Sequence, residues 1–252
     1  NGSLERVQPM GTGGTNALAP GTDPTASATM AATIAVDYAR DPRWKGSARI
    51  EFRTSRASDG ILSTLAGAYR LGRAWSALGR SQFTLMDECS GPQTLRERMQ
   101  VGFAYRPGPG WDALGRYELR YESSDSGATA GLEGLRLANI LSFHGGGPLG
   151  DKTTAALAWA GKLAHDGSDG VNSNTTAHWL HGRAAWALAP RWDAGLTASL
   201  HAGSGVRRPG VGAEVRRRLQ PGVWLSAGYN LTGYADDELT GEEWTRQGVY
   251  LR

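Results

Sequence analysis

The segment from Trp111 to Glu122 reads WDALGRYELRYE, and it indicates more about the fold than any other part of the chain. Apolar or small residues occupy one set of alternate positions, namely Trp111, Ala113, Gly115, Tyr117, Leu119 and Tyr121. The other set is mostly charged, namely Asp112, Leu114, Arg116, Glu118, Arg120 and Glu122. Successive side chains of a β-strand point to opposite faces, so this segment predicts a strand with one apolar face and one charged face.

The same alternation recurs along most of the chain in segments of about ten residues separated by turn signals. It predicts thirteen strands, at 30–39, 47–55, 61–71, 74–84, 94–106, 111–123, 133–144, 152–164, 176–188, 191–202, 209–219, 222–233 and 245–252. These strands are too many and too long, and their polar faces too rich in arginine, for a water-soluble sheet. We therefore predict an all-β fold, a transmembrane antiparallel up-and-down β-barrel with an apolar outside and a polar inside.

The composition of the chain limits the classes of function that it can have. The chain has 252 residues, of which 40% are hydrophobic. No stretch approaches the roughly 20 consecutive apolar residues of a membrane-spanning helix, which excludes a helical membrane protein. The net charge is +3, and basic residues alternate with carboxylates instead of clustering, so no nucleic-acid partner is expected. The single cysteine, Cys89, cannot form an internal disulfide.

The connections predict the orientation of the barrel. Short connections fall near 40–46, 71–74, 106–110, 145–151, 189–190 and 219–222. Long or polar connections fall near 56–60, 85–93, 124–132, 165–175, 203–208 and 234–244. We expect the short turns in the periplasm and the longer loops outside. Tryptophans lie beside the short turns and predict an aromatic belt at one membrane interface. They are Trp44, Trp75, Trp111, Trp192 and Trp224.

A single-chain bacterial barrel normally has an even number of strands. Residues 3–7 supply the end of one further strand, and the Gly/Pro/Thr-rich segment 9–28 follows as a loop. This gives fourteen strands, with twelve as the alternative if 30–39 or 245–252 lies outside the barrel. We accordingly divide the chain into a partial strand with a polar loop at 1–28 and a barrel at 29–252. We expect the sequence to be truncated at both ends.

Charged residues are predicted to line the lumen. They are Arg49, Glu51, Arg53, Arg70, Arg96, Arg98, Arg116, Glu118, Arg120, Arg136, Lys162, Arg183, Asp193, Glu214, Arg216 and Arg218. One interpretation is a pore whose lining favours anions. The other, which we favour, is an interior of paired charges that conducts little, since opposite charges on neighbouring strands stabilise a sheet.

No motif for catalysis, cofactor binding or metal binding stands out. The acidic segment 234–244 and the Asp166–Asp169 stretch lack a recognised ligand spacing and are interpreted as loop and turn sequence. His165 with Ser168, and His144 beside glycines, do not form a nucleophile motif. We therefore expect no enzyme activity, no cofactor and no metal site.

Several short motifs support a resemblance to a known kind of protein. These are Trp224–Leu239 with Tyr250–Arg252, Pro190–Asp193 and Trp44–Arg49. They resemble the C-terminal outer-membrane barrel domain of large proteobacterial surface proteins. The resemblance implies a barrel in the bacterial outer membrane that anchors a larger cell-envelope protein, with a porin-like diffusion channel or an autotransporter-like translocator as alternatives. The expected partners are outer-membrane lipid and lipopolysaccharide, with other envelope or surface-layer proteins.

Overall fold

A computed structural model of the chain describes residues 2–7, 29–55, 57–89, 93–108, 110–125, 134–168, 171–203, 205–220, 223–232 and 248–251. The described residues form fourteen β-strands. Their bounds are β1 Gly2–Val7, β2 Thr29–Tyr38, β3 Trp44–Ser55, β4 Ser58–Arg70, β5 Trp75–Glu88, β6 Gln93–Gly108, β7 Trp111–Asp125, β8 Gly134–Pro148, β9 Thr153–Ser168, β10 Val171–Ala189, β11 Trp192–Gly203, β12 Val206–Gln220, β13 Val223–Asn230 and β14 Gly248–Leu251. Within these ranges there is no helix long and apolar enough to cross a membrane.

The fourteen strands form one sheet in which spatial order follows chain order. Each strand pairs antiparallel with the next strand along the chain. The predicted up-and-down topology and the favoured count of fourteen are confirmed, and the strand expected at residues 3–7 is β1. β1 and β14 are the two edges of the described sheet. With an even count these edges run antiparallel, the relationship that closure of an all-antiparallel barrel requires.

The two faces of the sheet differ in burial as well as in chemistry. On one face large apolar side chains are exposed, and Val36, Leu65 and Leu163 in one cross-strand row are each 60% exposed. The opposite face holds the buried residues, with Glu118 at 0% and Ile140 at 1% exposure. Curvature explains the difference, because neighbouring side chains crowd together on the concave side. The concave face is therefore the polar one, which is the reverse of a water-soluble barrel.

The strands extend further at the predicted outer end than the sequence pattern suggested. The predicted loops 56–60, 165–175 and 203–208 are wrong, because only two residues separate β3 from β4, β9 from β10 and β11 from β12. Polar residues occupy both faces there, as at Asn172, Ser173 and Asn174, so the apolar pattern stops before the strand does. The longer links at this end are 8–28, 126–133 and 231–247. The predicted loops 9–28 and 234–244 lie outside the described residues.

Candidate functional site on the concave face

Four predicted belt tryptophans lie at one end of the convex face. Trp44, Trp75, Trp111 and Trp192 are the first residues of β3, β5, β7 and β11, and each is 42–49% exposed. Tyrosines of neighbouring strands extend the belt. Tyr69 lies 6.4 Å from Trp44 and Tyr105 lies 4.5 Å from Trp75 between ring centroids. Such a ring of amphipathic aromatic side chains is typical of the interface between lipid and water.

The structure does not place Trp224 in this belt. Trp224 is the second residue of β13 and shares the concave face with Ser226, and the Arg216 guanidinium lies 5.2 Å from its ring centroid. Proximity to a turn determines the depth at which a residue lies in the membrane. Alternation along the strand determines which face of the sheet the residue occupies. On the convex face the guanidinium of Arg217 lies 5.3 Å from the Trp192 ring, so Arg217 is a belt residue that the sequence reasoning missed.

The predicted lumen charges all fall on the concave face by register and alternation. Many of them join neighbouring strands as ion pairs. Arg183 on β10 reaches Glu214 on β12 across the intervening β11. The pairs between adjacent strands are Arg98–Glu118 at 2.7 Å, Arg96–Glu122 at 2.8 Å, Arg136–Asp166 at 3.2 Å and Arg216–Asp193 at 3.2 Å. Such pairs stabilise a sheet when they lie on one face of adjacent strands.

The centre of this face is a group that we call the Glu118 cluster, consisting of Glu118, Arg98, Gln100, Arg116 and Arg120. The Glu118 carboxylate is fully buried, and its Oε1 accepts hydrogen bonds from Nε of Arg98 at 2.7 Å and Nε of Arg120 at 2.5 Å. Its Oε2 accepts a bond from Nε2 of Gln100 at 2.8 Å. Arg116 approaches the same oxygen at 3.9 Å. One carboxylate thus faces three guanidinium groups.

Two further carboxylates are each flanked by two arginines. Glu51, which is 3% exposed, bonds to Arg49 at 2.6 Å and to Arg53 on its own strand. Glu214 bonds to Arg183 and lies 3.8 Å from Arg216. The arginines outnumber the carboxylates in these groups. The concave face is therefore an electropositive surface in which the negative charges are held between positive ones.

Sequence reasoning missed two partners in this network. Asp166 was assigned to a turn, but β9 continues to Ser168, and Asp166 pairs with Arg136. The signal was present, because Lys162, Ala164 and Asp166 continue the alternation of β9. Gln100 carries no charge and was passed over, although it alternates with Arg98 on β6. Its role becomes visible only when register places β6 beside Glu118.

The histidines are distributed over both faces. His165 contacts Asn174, with its Nδ1 2.8 Å from the Asn174 Oδ1. The His178 ring stacks on Trp159, and the His181 ring stacks on Trp179. Within the described ranges, no group of three or more His, Cys, Asp or Glu residues has an arrangement that would hold a metal ion. The acidic segment 234–244 and Asp169 lie outside those ranges.

This combination of an up-and-down sheet, an apolar convex face, an aromatic belt and a charged concave face defines a bacterial outer-membrane β-barrel. No protein-family model matches the chain. No curated protein matches it in sequence.

Comparison with solved structures leads to the same fold. The ferric enterobactin receptor PfeA has a TM-score of 0.66 and 10% identity, over 91% of this chain and 43% of the receptor. The siderophore receptor PirA from Pseudomonas aeruginosa has a TM-score of 0.63 and 13% identity, over 81% and 39%. The alcaligin receptor FauA from Bordetella pertussis has a TM-score of 0.61 and 12% identity, over 81% and 41%. The chain spans about two fifths of the length of these receptors, and at such low identity the likeness shows the fold alone.

Proposed function

We propose that this chain is a membrane anchor, an outer-membrane β-barrel that holds a larger cell-envelope protein at the bacterial surface. The observation that carries the proposal is the pairing of the concave charges with one another across strands. Arg98 with Glu118, on β6 and β7, is one example. Charges used in this way join neighbouring strands and occupy the interior, which suits a structural wall.

The convex face supports the same proposal. Exposed side chains such as Leu65 and Leu163 would be poorly tolerated in water but are stable against lipid acyl chains. Trp44, Trp75, Trp111 and Trp192 would hold the barrel at a fixed depth, because an indole ring favours the lipid–water interface.

Conductance tests the anchor proposal. The purified chain, refolded in detergent and inserted in a planar lipid bilayer, is expected to give small or no current steps. The reason is that arginine–carboxylate groups such as the Glu118 cluster fill part of the interior. Large, porin-like steps would overturn the proposal. A bilayer with detergent alone is the blank, and heat-dependent migration in gel electrophoresis verifies that the barrel is folded before insertion.

The arginine excess on the concave face favours a second candidate, a narrow channel for small anions. The sign of a charged lining sets ion preference, so any current should be carried mainly by anions. The reversal potential across a salt gradient measures this preference, and clear cation selectivity would contradict it. The translocator alternative stays a prediction from the sequence resemblance.

A further inference from the structure

A pocket interrupts the charged lining between β3 and β7. We call it the β3–β7 pocket, and it is lined on the concave face chiefly by Lys45, Ala66, Leu78, Arg80, Gly102 and Arg116. Its volume is about 490 Å³. The cross-strand row through it reads Lys45, Ala68, Leu78, Gly102 and Arg116, so small or apolar residues separate two cations.

The floor of the pocket is apolar, in contrast to its charged rim. Leu78 is 40% exposed and Leu114 is 38% exposed, and both line the pocket. Gly102 lies beside Leu78 in the register and leaves the space between them open. A Cβ atom at position 102 would stand 3.1 Å from the carbonyl oxygen of Gly115, so a larger residue would crowd the wall as well as the cavity.

The rim of the pocket carries an excess of positive charge. Three cations line it, Lys45, Arg80 and Arg116, against one carboxylate, Asp37. Arg116 stands 3.9 Å from Glu118, which already accepts hydrogen bonds from Arg98 and Arg120. In the part of the chain that the structure describes, no carboxylate forms an ion pair with Lys45 or Arg80.

We propose that the β3–β7 pocket binds a small organic anion with an apolar body. Arg80 on β5 and Arg116 on β7 flank β6 and are offset by two residues in the register, which places their Cα atoms about 12 Å apart at the ordinary strand spacings. Two flexible guanidinium side chains at that separation can converge on one carboxylate, for which their planar donor groups are well suited. The apolar part of the ligand then covers Leu78 and Leu114. A volume of about 490 Å³ falls within the usual range for small-molecule sites.

Three probes test the proposal at equilibrium, where the result does not depend on whether the barrel conducts or anchors. Isothermal titration calorimetry measures binding of benzoate, acetate and benzamide to the folded chain in detergent micelles, with micelles alone as the blank. Benzoate has both the charge and the apolar body, acetate only the charge, and benzamide only the body. We expect the Kd of benzoate to be lower than that of either other probe by roughly tenfold or more, since benzamide lacks the charge-assisted hydrogen bonds and acetate lacks the ring that buries apolar surface.

Variants locate the site. Arg80→Gln, alone or with Arg116→Gln, should weaken benzoate binding by roughly tenfold or more. Ala66→Phe should weaken it by filling the pocket without removing a charge. Arg218→Gln is the matched control, because Arg218 is an exposed concave-face arginine on β12, and it should leave the Kd unchanged. Circular dichroism verifies that each variant is folded.

Four results would overturn the proposal. Benzoate binding no tighter than acetate would indicate only the general positive potential of the lumen. Binding of benzamide as tightly as benzoate would show a purely apolar pocket. Equal benzoate binding by Arg80→Gln, Ala66→Phe and the unaltered chain would place the anion elsewhere. No detectable benzoate binding would remove the site altogether.

Discussion

Arg98 on β6 and Arg120 on β7 are direct cross-strand partners, and both donate from Nε to the same oxygen, Oε1 of Glu118. Like charges placed opposite each other destabilise a sheet. The buried carboxylate reverses that effect, because it lies within hydrogen-bond distance of both guanidinium groups. The Glu118 cluster is therefore the point at which the inner wall depends most on a single side chain.

Glu118→Gln should destabilise the folded chain by about 1–3 kcal/mol, since the two opposed arginines lose their shared anion but keep some access to water. Urea unfolding in lipid vesicles measures the change. Glu122→Gln is the matched control, because its partner Arg96 is 61% exposed and exposed ion pairs contribute about 0–1 kcal/mol. Equal losses for the two variants would mean that the Glu118 cluster has no special role.

Leu119 and Arg120 are neighbours in sequence but lie on opposite faces. Leu119 pairs with Met99 and Asn139 in the convex row that also contains Leu65, whereas Arg120 lies in the Glu118 cluster. Leu119→Arg should cost about 2–4 kcal/mol in lipid vesicles, because it puts a charge against the acyl chains. Arg120→Leu should cost less, since Arg98 and Gln100 still bond to Glu118. The reverse order of the two losses would contradict the assignment of faces.

Asn139 is a polar residue on the convex face, and its amide oxygen accepts a hydrogen bond of 2.6 Å from the Tyr117 hydroxyl. Lipid offers no alternative donor, so Tyr117→Phe should cost about 1–3 kcal/mol in the folding free energy. The same substitution in an Asn139→Leu background should cost less than about 0.5 kcal/mol, because the acceptor is gone. A double-mutant cycle from urea unfolding measures the difference. The same cost in both backgrounds would show that the bond contributes nothing.

Cys89 reports the orientation of the barrel. Cys89 is exposed and directly follows the last residue of β5. It lies at the end of the sheet that is predicted to face the outside of the cell. A membrane-impermeant maleimide should therefore label Cys89 on intact cells. Gly72 lies in the connection at the opposite end, with open space where a side chain would stand. A Gly72→Cys variant with Cys89→Ser should react only after the outer membrane is broken. The opposite pattern would invert the topology.

Local alternation was enough to predict the two faces of each strand, while the even strand count also required the closure rule for barrels. The two faces follow from the backbone itself, since a strand turns successive side chains to opposite sides wherever it lies. The segment 111–122 shows this well, as Tyr117 and Leu119 lie on the convex face and Glu118 and Arg120 on the concave face. The same rule, applied strictly, would also have placed Trp224 on the concave face.

Register could not be read from the sequence, and the partners of the charges depend on it. Alternation puts Arg98, Glu118 and Arg120 on one face, but only the pairing of β6 with β7 sets Arg98 opposite Arg120. The β3–β7 pocket has the same origin, because Leu78, Gly102 and Arg116 meet from three strands. A one-residue shift between strands would move every such contact to another face, and that shift is fixed by turns and by packing along the whole sheet.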